Sequence, residues 1–186
     1  FVLKTNEPYF LVVGQNAPFK NHEGILEGFA AADLGPRVRL VLLQRLYAKG
    51  PLLARARSLG IEDRLVWRSG VSEEDVVALL QGALALVQFS RYEGYGMPAA
   101  EAIACGAPVV ASDIAPLVEV LGGAALHVPL DARALGRALS QIANEPSLRG
   151  DLSAQGIERA RAFSWDKSAE AHVEAYREAA AEGPLR

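Results

Sequence analysis

The 186 residues carry 19 Lys and Arg against 22 Asp and Glu, a formal charge of −3, with 51% hydrophobic residues and a single cysteine. That balance gives no general attraction to nucleic acid or anionic lipid, and no apolar run nears the roughly 18 to 20 residues that cross a bilayer. Cys105 alone excludes an internal disulfide, and with no CxxC or Cys/His cluster to suggest zinc, a reducing, cytoplasmic setting is expected.

One domain is the expectation for this length. The opening FVLKTNEPYF has neither an initiator methionine nor the layout of a signal peptide, and reads as a start within a longer protein. YFLVV at 9–13 is the first short apolar run of the kind that forms a buried parallel strand. HEGILEGFAAAD at 22–33 then sets Ile25, Leu26 and Phe29 on one helical stripe. VRLVLL at 38–43, helical GPLLARARSLG at 50–60 and RLVW at 64–67 continue the alternation. SEEDVVALLQGA at 72–83 is a helix with Ser72 as N-cap and acids in its first turn. LALVQF at 84–89 is a strand running into a glycine-rich turn. Pro98 suits the first helical residue after that turn, and Gly106 suits the left-handed residue that ends the helix. PVVAS at 108–112 and AALHV at 124–128 complete six strands. Three consecutive helices follow, capped at Asp131, begun at Pro146 and capped at Ser164, before a tail, GPLR, expected to fray. Strands alternating with helices through short loops predict an α/β fold, a Rossmann-like doubly wound parallel sheet with C-terminal helices.

Ligands of such a sheet sit outside the carboxyl ends of the strands, so the loops at 14–21, 68–72 and 90–97 matter most. The third holds Glu93, and Glu101 is expected in the first turn of the helix beyond it. Gly94 and Gly96 let the backbone approach a ligand, leaving the amides of Tyr95, Gly96 and Met97 aimed at it. A helix N-terminus suits phosphate oxygens, whereas carboxylates suit the paired hydroxyls of a ribose or hexose. Two carboxylates beside a diphosphate must therefore flank it and hold what lies at its two ends. A sugar nucleotide satisfies both demands.

At this point EGYGMPAAEAIACGAPVVASD resembles the Glu-x7-Glu segment of the retaining GT-B glycosyltransferases of the group 1, or family 4, type. VVGQNAPFKNHEGILEGFA, GIEDRLVWRSGVSEEDVVALL and LVEVLGGAALHV support the match in family order, and the resemblance runs from about Tyr9 to Tyr176. It implies that residues 1–186 are the C-terminal, nucleotide-sugar-binding half of a hexosyltransferase of polysaccharide biosynthesis, mannose or glucose being the leading sugars. The acceptor, a saccharide or a lipid-linked one, would sit on an N-terminal domain absent from this chain. By the same resemblance Glu93 holds donor-sugar hydroxyls, Glu101 holds ribose hydroxyls, and Lys20 neutralises the diphosphate of a GDP- or UDP-linked donor. The amides of Tyr95, Gly96 and Met97, with Gly94, Gly14, Gln15 and Val71, border sugar, phosphates and nucleotide. No cofactor or metal is implied, and Glu93 orients the donor rather than attacking it.

Gln15 departs from the pattern, standing where many members have an arginine for the diphosphate, and LLQRLYAKG lacks the usual Gly-rich turn. A non-catalytic nucleotide-binding domain, or an epimerase or phosphorylase on the same architecture, is the alternative reading. Arg37, Arg39, Arg45, Lys49, Arg55, Arg57, Arg64 and Arg68 form a local basic excess, read as ordinary solvated charge, with a phosphate-facing or peripheral membrane-facing patch as the alternative. His22 is read as a surface or capping residue, His127, His172 and Cys105 as structural, and Trp67 as a strand-end residue packed on the core. Glu119 matches a recurrent family glutamate of unspecified role. The last helix resembles the segment that crosses back to the N-terminal domain, so self-association through it is expected.

Overall fold

The computed structural model describes residues 7–44 and 49–182. The frayed-tail expectation for GPLR, and the residues 45–48 of LLQRLYAKG, lie outside them. Six strands form one sheet: β1 (Tyr9–Val13), β2 (Arg39–Leu43), β3 (Leu65–Arg68), β4 (Ala85–Gln88), β5 (Val109–Ser112) and β6 (Leu126–Val128). Every pairing is parallel and the strand order is β3-β2-β1-β4-β5-β6. That is the doubly wound Rossmann order, in which the winding reverses between β1 and β4.

The strands are apolar on both faces because helices cover both. Phe10 and Val12 of β1 and Leu40 and Leu42 of β2 point into one core with Ile25, Leu26 and Phe29 of α1 (His22–Ala31). Leu135, Leu139 and Ile142 of α6 (Ala132–Asn144) fill the same core. The alternate residues, Leu11, Val41 and Leu43, enter a second core with Leu79 and Leu80 of α3 (Glu73–Gly82) and Ala99, Ala102 and Ile103 of α4 (Met97–Ala104). The period of two along each strand thus sorts side chains between the layers. α2 (Lys49–Ser58), α5 (Ala115–Leu121), α7 (Pro146–Ala160) and α8 (Trp165–Glu182) complete the wrap. α1 and α6 approach closely because glycines meet there: a Cβ on Gly136 would stand 3.0 Å from the Gly28 carbonyl oxygen.

The caps agree with the sequence. Ser72 accepts from the Asp75 amide at 3.2 Å, Asp131 from the Ala134 amide at 2.8 Å, and Ser164 from the Lys167 amide at 3.4 Å. Gly106 has φ 76°, and the amides of Gly106 and Ala107 donate to Ile103 and Ala102, closing α4 in a Schellman turn. Three readings need correction. α4 begins at Met97, one residue before Pro98, because Gly96 at φ 95° takes the N-cap place. Glu101 therefore falls in the second turn and not the first. α5 escaped the sequence reading because seven residues are too few to display a helical period.

The basic excess is mostly spent internally. Arg39 makes a two-pronged pair with Glu7 at 2.7 and 3.0 Å, and Arg55 and Arg57 pair with Glu27 and Glu62. Arg64 lies over the Phe29 ring, 4.4 Å from its centroid. Arg45 and the Lys49 side chain lie outside the described part. Among the described residues no helix is long and apolar enough to cross a membrane.

Candidate functional site

The loops after β1 and β4 meet where the winding reverses. After β1 the chain passes Gly14, at φ 135°, into a short 3-10 turn, Pro18–Lys20, and Asn21 leaves it in the left-handed region at φ 54°. That turn sends Lys20 across to the β4 loop, where its Nζ stands 2.7 Å from Glu93 Oε1. The same oxygen accepts from Gln88 Nε2 at 2.9 Å and from Ser90 Oγ at 2.6 Å. Ser112 Oγ donates to the Ser90 carbonyl at 2.6 Å, so β5 braces the arrangement from behind. The two loops are also stitched through Arg91, whose amide donates to the Phe19 carbonyl at 2.7 Å and whose guanidinium donates to Asn21 Oδ1 at 3.1 Å. Glu93 is only 8% exposed, and with three donors gathered on Oε1 its orientation is fixed while Oε2 takes none of those bonds.

Gly96 is held tightly: a Cβ there would lie 2.4 Å from Leu117 Cδ2. Its carbonyl receives the amides of Ala99 and Ala100, which starts α4. Among the described residues the amides of Tyr95, Gly96 and Met97 find no backbone acceptor, the usual state of donors at a helix start that can meet an anion. Tyr95 and Met97 are both exposed, and the Tyr95 ring meets Phe163 edge-on with centroids 6.2 Å apart.

Two cavities adjoin this point and Glu101 borders both. The larger, about 1040 Å³, brings together Gly14, Gln15, Val71 and Glu101, with Gln44, Gly70 and Cys105 on its wall. The smaller, about 540 Å³, lies between α4 and the start of α8 and is lined by Tyr95, Met97, Phe163 and Trp165. Lys20 and Glu93 stand beside the larger cavity without lining it. The link is Gly14, where a Cβ would come within 3.8 Å of Lys20 Cε. Gly94 has open space around it, as the close approach of a ligand requires.

Burial sets the titration of nearby groups. It pushes the His22 imidazole down to about 4, the Lys20 charge adds to the fall, and the Gly14 backbone weakly opposes it. His22 is thus a buried neutral residue and not a surface or capping one, because α1 turns it inward behind Asn21, which holds the N-cap place. Partial desolvation raises the Glu101 carboxyl, and burial with the Glu101 charge raises the Cys105 thiol. His127 Nε2 lies 2.8 Å from the Gly122 carbonyl, a structural contact, and Trp67 packs on the first core. Among the described residues no cluster of His, Cys, Asp and Glu could hold a metal ion.

The family model described as glycosyl transferases group 1 matches residues 1–159. The chain belongs to the group 1 glycosyltransferases. It is 32% identical over 184 residues to O-antigen chain mannosyltransferase B of Escherichia coli, covering 91% of this chain and 45% of that protein. Its identity to the MMP alpha-(1->4)-mannosyltransferase of Mycolicibacterium hassiacum is 34% over 175 residues, with 91% and 43% covered. The chain therefore spans less than half the length of these curated relatives. Sucrose-phosphate synthase from Thermosynechococcus elongatus superposes with a TM-score of 0.82 at 28% identity, over 93% of this chain and 45% of that one. The Anabaena protein HepE, solved with UDP and glucose, gives 0.83 at 18%, over 94% and 49%, a likeness of fold.

Of the residues singled out from the sequence, Lys20 and Glu93 meet at the β1/β4 crevice, and Gly14, Gln15, Val71 and Glu101 line the larger cavity beside it. The residues missed were those that hold Glu93. Gln88 was legible as the one polar residue in the apolar run LALVQF, and it is buried. Ser90 carried no such signal, since a serine after a strand is ordinary.

Proposed function

We propose that this chain supplies the donor site of a retaining hexosyltransferase that uses a nucleotide-diphosphate sugar. The observation that carries the reading is the Lys20–Glu93 pair at the switch point, beside the amides that open α4, which find no backbone acceptor among the described residues. A diphosphate seated there meets the helix N-terminus and the Lys20 ammonium, the groups that would stabilise charge on the departing nucleotide. Glu93, held by Gln88 and Ser90 when Lys20 turns to phosphate, keeps its second oxygen for sugar hydroxyls. Glu101, at the edge of the larger cavity, would accept from the ribose hydroxyls. HepE shares the fold and carries UDP and glucose, so the architecture can house such a ligand. The acceptor would be held by a further part of the protein, which agrees with the greater length of the relatives. Mannose is the favoured sugar, since two of the relatives are named mannosyltransferases.

The test is calorimetric titration of the chain with UDP, GDP, ADP and their glucose and mannose conjugates. Submillimolar binding of one nucleotide, weakened by Lys20→Ala and by Glu101→Ala, supports the site. Binding that neither substitution changes overturns it.

A further inference from the structure

Gln44 follows the last residue of β2 and is 4% exposed, yet among the described residues neither its Oε1 nor its Nε2 meets a hydrogen-bond partner. Leaving a whole primary amide unpaired in the interior is costly, and native chains seldom do so without a use for it. Its backbone is not at fault: the Gln44 amide donates to the Arg68 carbonyl at 2.9 Å, which pins the residue between β2 and the end of β3. The residue also lines the larger cavity, alongside Gly70 and Val71 and the apolar side chains of Val76 and Val77. Glu101 borders the same cavity.

We infer that Gln44 reads the edge of the nucleotide's base. The inference rests on the donor-site reading above, which seats the ribose on Glu101. A base lies one glycosidic bond from its ribose, so the cavity wall beyond Glu101 receives it. Valines and a glycine backbone suit the faces of a flat heterocycle but carry no side-chain group able to tell one base from another, Gln15 stands on the β1 loop, and Glu73 on the same lining is an exposed carboxylate that offers acceptors only. The Gln44 amide does, because it offers one acceptor and two donors from a single planar group. Uracil, guanine and adenine each present an N–H beside a hydrogen-bond acceptor, and an amide meets such an edge with two bonds at once. Which base fits is then set by where the edge falls when the ribose is held on Glu101. The Gln44 side-chain amide, which has no partner among the described residues, would then pair with the base. The position belongs to the segment whose departure from the usual Gly-rich turn was evident in the sequence, and the departure here has a purpose: a side chain where the family turn would give only backbone.

The test compares the chain with its Gln44→Met, Gln44→Glu and Glu101→Ala variants, each titrated with UDP, GDP and ADP and each melted thermally without ligand. Methionine keeps the length of the side chain and removes both polar ends. It is expected to weaken the preferred nucleotide about tenfold or more, to bring the three affinities together, and to leave the melting temperature equal or higher, since an unpaired amide has been removed. Glutamate offers acceptors only and should shift preference toward GDP, whose base carries adjacent N–H donors. Two outcomes overturn the inference: an unchanged order and ratio of the three nucleotides in both Gln44 variants, or an equal loss for all three accompanied by a lower melting temperature. If the methionine variant does not fold, the order seen with Gln44→Glu decides alone. Glu101→Ala separates the two readings. A uniform loss there with no effect at Gln44 defeats the base-reading role only, whereas no binding by the unsubstituted chain defeats both.

Discussion

Lys20 and Glu93 come from loops 73 residues apart and meet at 2.7 Å across the point where the sheet reverses its winding. The pair is asymmetric. Glu93 is 8% exposed and receives two further donors on the same oxygen, whereas Lys20 is 18% exposed and has no comparable network. Removing the acid therefore strands three donors, and removing the base strands none. Glu93→Ala is expected to cost about 3 to 5 kcal/mol of unfolding free energy, in the range for breaking a buried pair, and Lys20→Ala less, about 1.5 to 3 kcal/mol, the range for a hydrogen bond to a charged group, because the buried carboxylate it leaves is still held by Gln88 and Ser90. Urea denaturation of both variants checks the order. Equal losses would mean that Gln88 and Ser90 find other acceptors and that Glu93 is not held by them.

Gly96 shows why the glycine turn cannot be filled. At φ 95° a side chain is strained, and its Cβ would lie 2.4 Å from Leu117 Cδ2. Gly96→Ala is expected to destabilise by about 2 to 3 kcal/mol, combining backbone strain with overpacking. The double variant with Leu117→Ala relieves the contact but not the dihedral, so a double-mutant cycle in urea divides the two costs. Full additivity would show that the contact contributes nothing. The same substitution should weaken nucleotide binding, because it displaces the amides that open α4.

Much of this architecture was legible in the chain because the sheet is buried on both faces. Apolar runs of four to six residues, separated by helices with clear stops, leave few alternatives to a parallel doubly wound sheet, and Ser72 and Asp131 are caps in the structure as in the sequence. What was not legible depends on tertiary direction. Nothing local distinguishes His22 at a helix start facing solvent from His22 facing the core. Glu101 fell one residue outside the first turn because α4 starts at Met97, after the Gly96 N-cap, and not at Pro98. The Lys20–Glu93 pair was hidden for a similar reason: the family resemblance gives each residue a ligand to hold, whereas the structure pairs the two charges with each other.

The buried imidazole makes stability pH-dependent with a definite sign. His22 titrates at about 4 in the folded chain against an ordinary 6.5. The unfolded state thus takes up a proton that the folded state refuses, so the stabilisation is complete above pH 6.5 and is lost as pH falls toward 4. A shift of this size corresponds to about 3 kcal/mol. His22→Phe should remove that component, and urea midpoints at pH 7.5 and pH 4 should differ less for the variant than for the wild type. Carboxylates titrate in the same interval, so the difference between the two proteins carries the result. Lys20→Met should reduce the dependence, because the lysine charge is the second cause of the shift.

Cys105 offers a probe of the larger cavity. Its thiol is half-buried on the cavity wall, and burial first, then the nearby Glu101 charge, pushes its titration up. The thiolate is the reactive form, so labelling with a disulfide reagent near pH 8 should run slower than for an exposed cysteine. Glu101→Gln removes the charge and should speed it about two- to fivefold, a modest effect because burial dominates the shift. A nucleotide seated on Glu101 would occupy the cavity and block access, so a saturating concentration of the best-bound nucleotide should slow labelling at least tenfold if it acts by exclusion. Protection by the nucleotide with little change in Glu101→Gln would keep the binding site where it is placed and remove the carboxylate from the control of the thiol. Binding without protection would put the nucleotide elsewhere, away from the cavity that Glu101, Gln44 and Cys105 share.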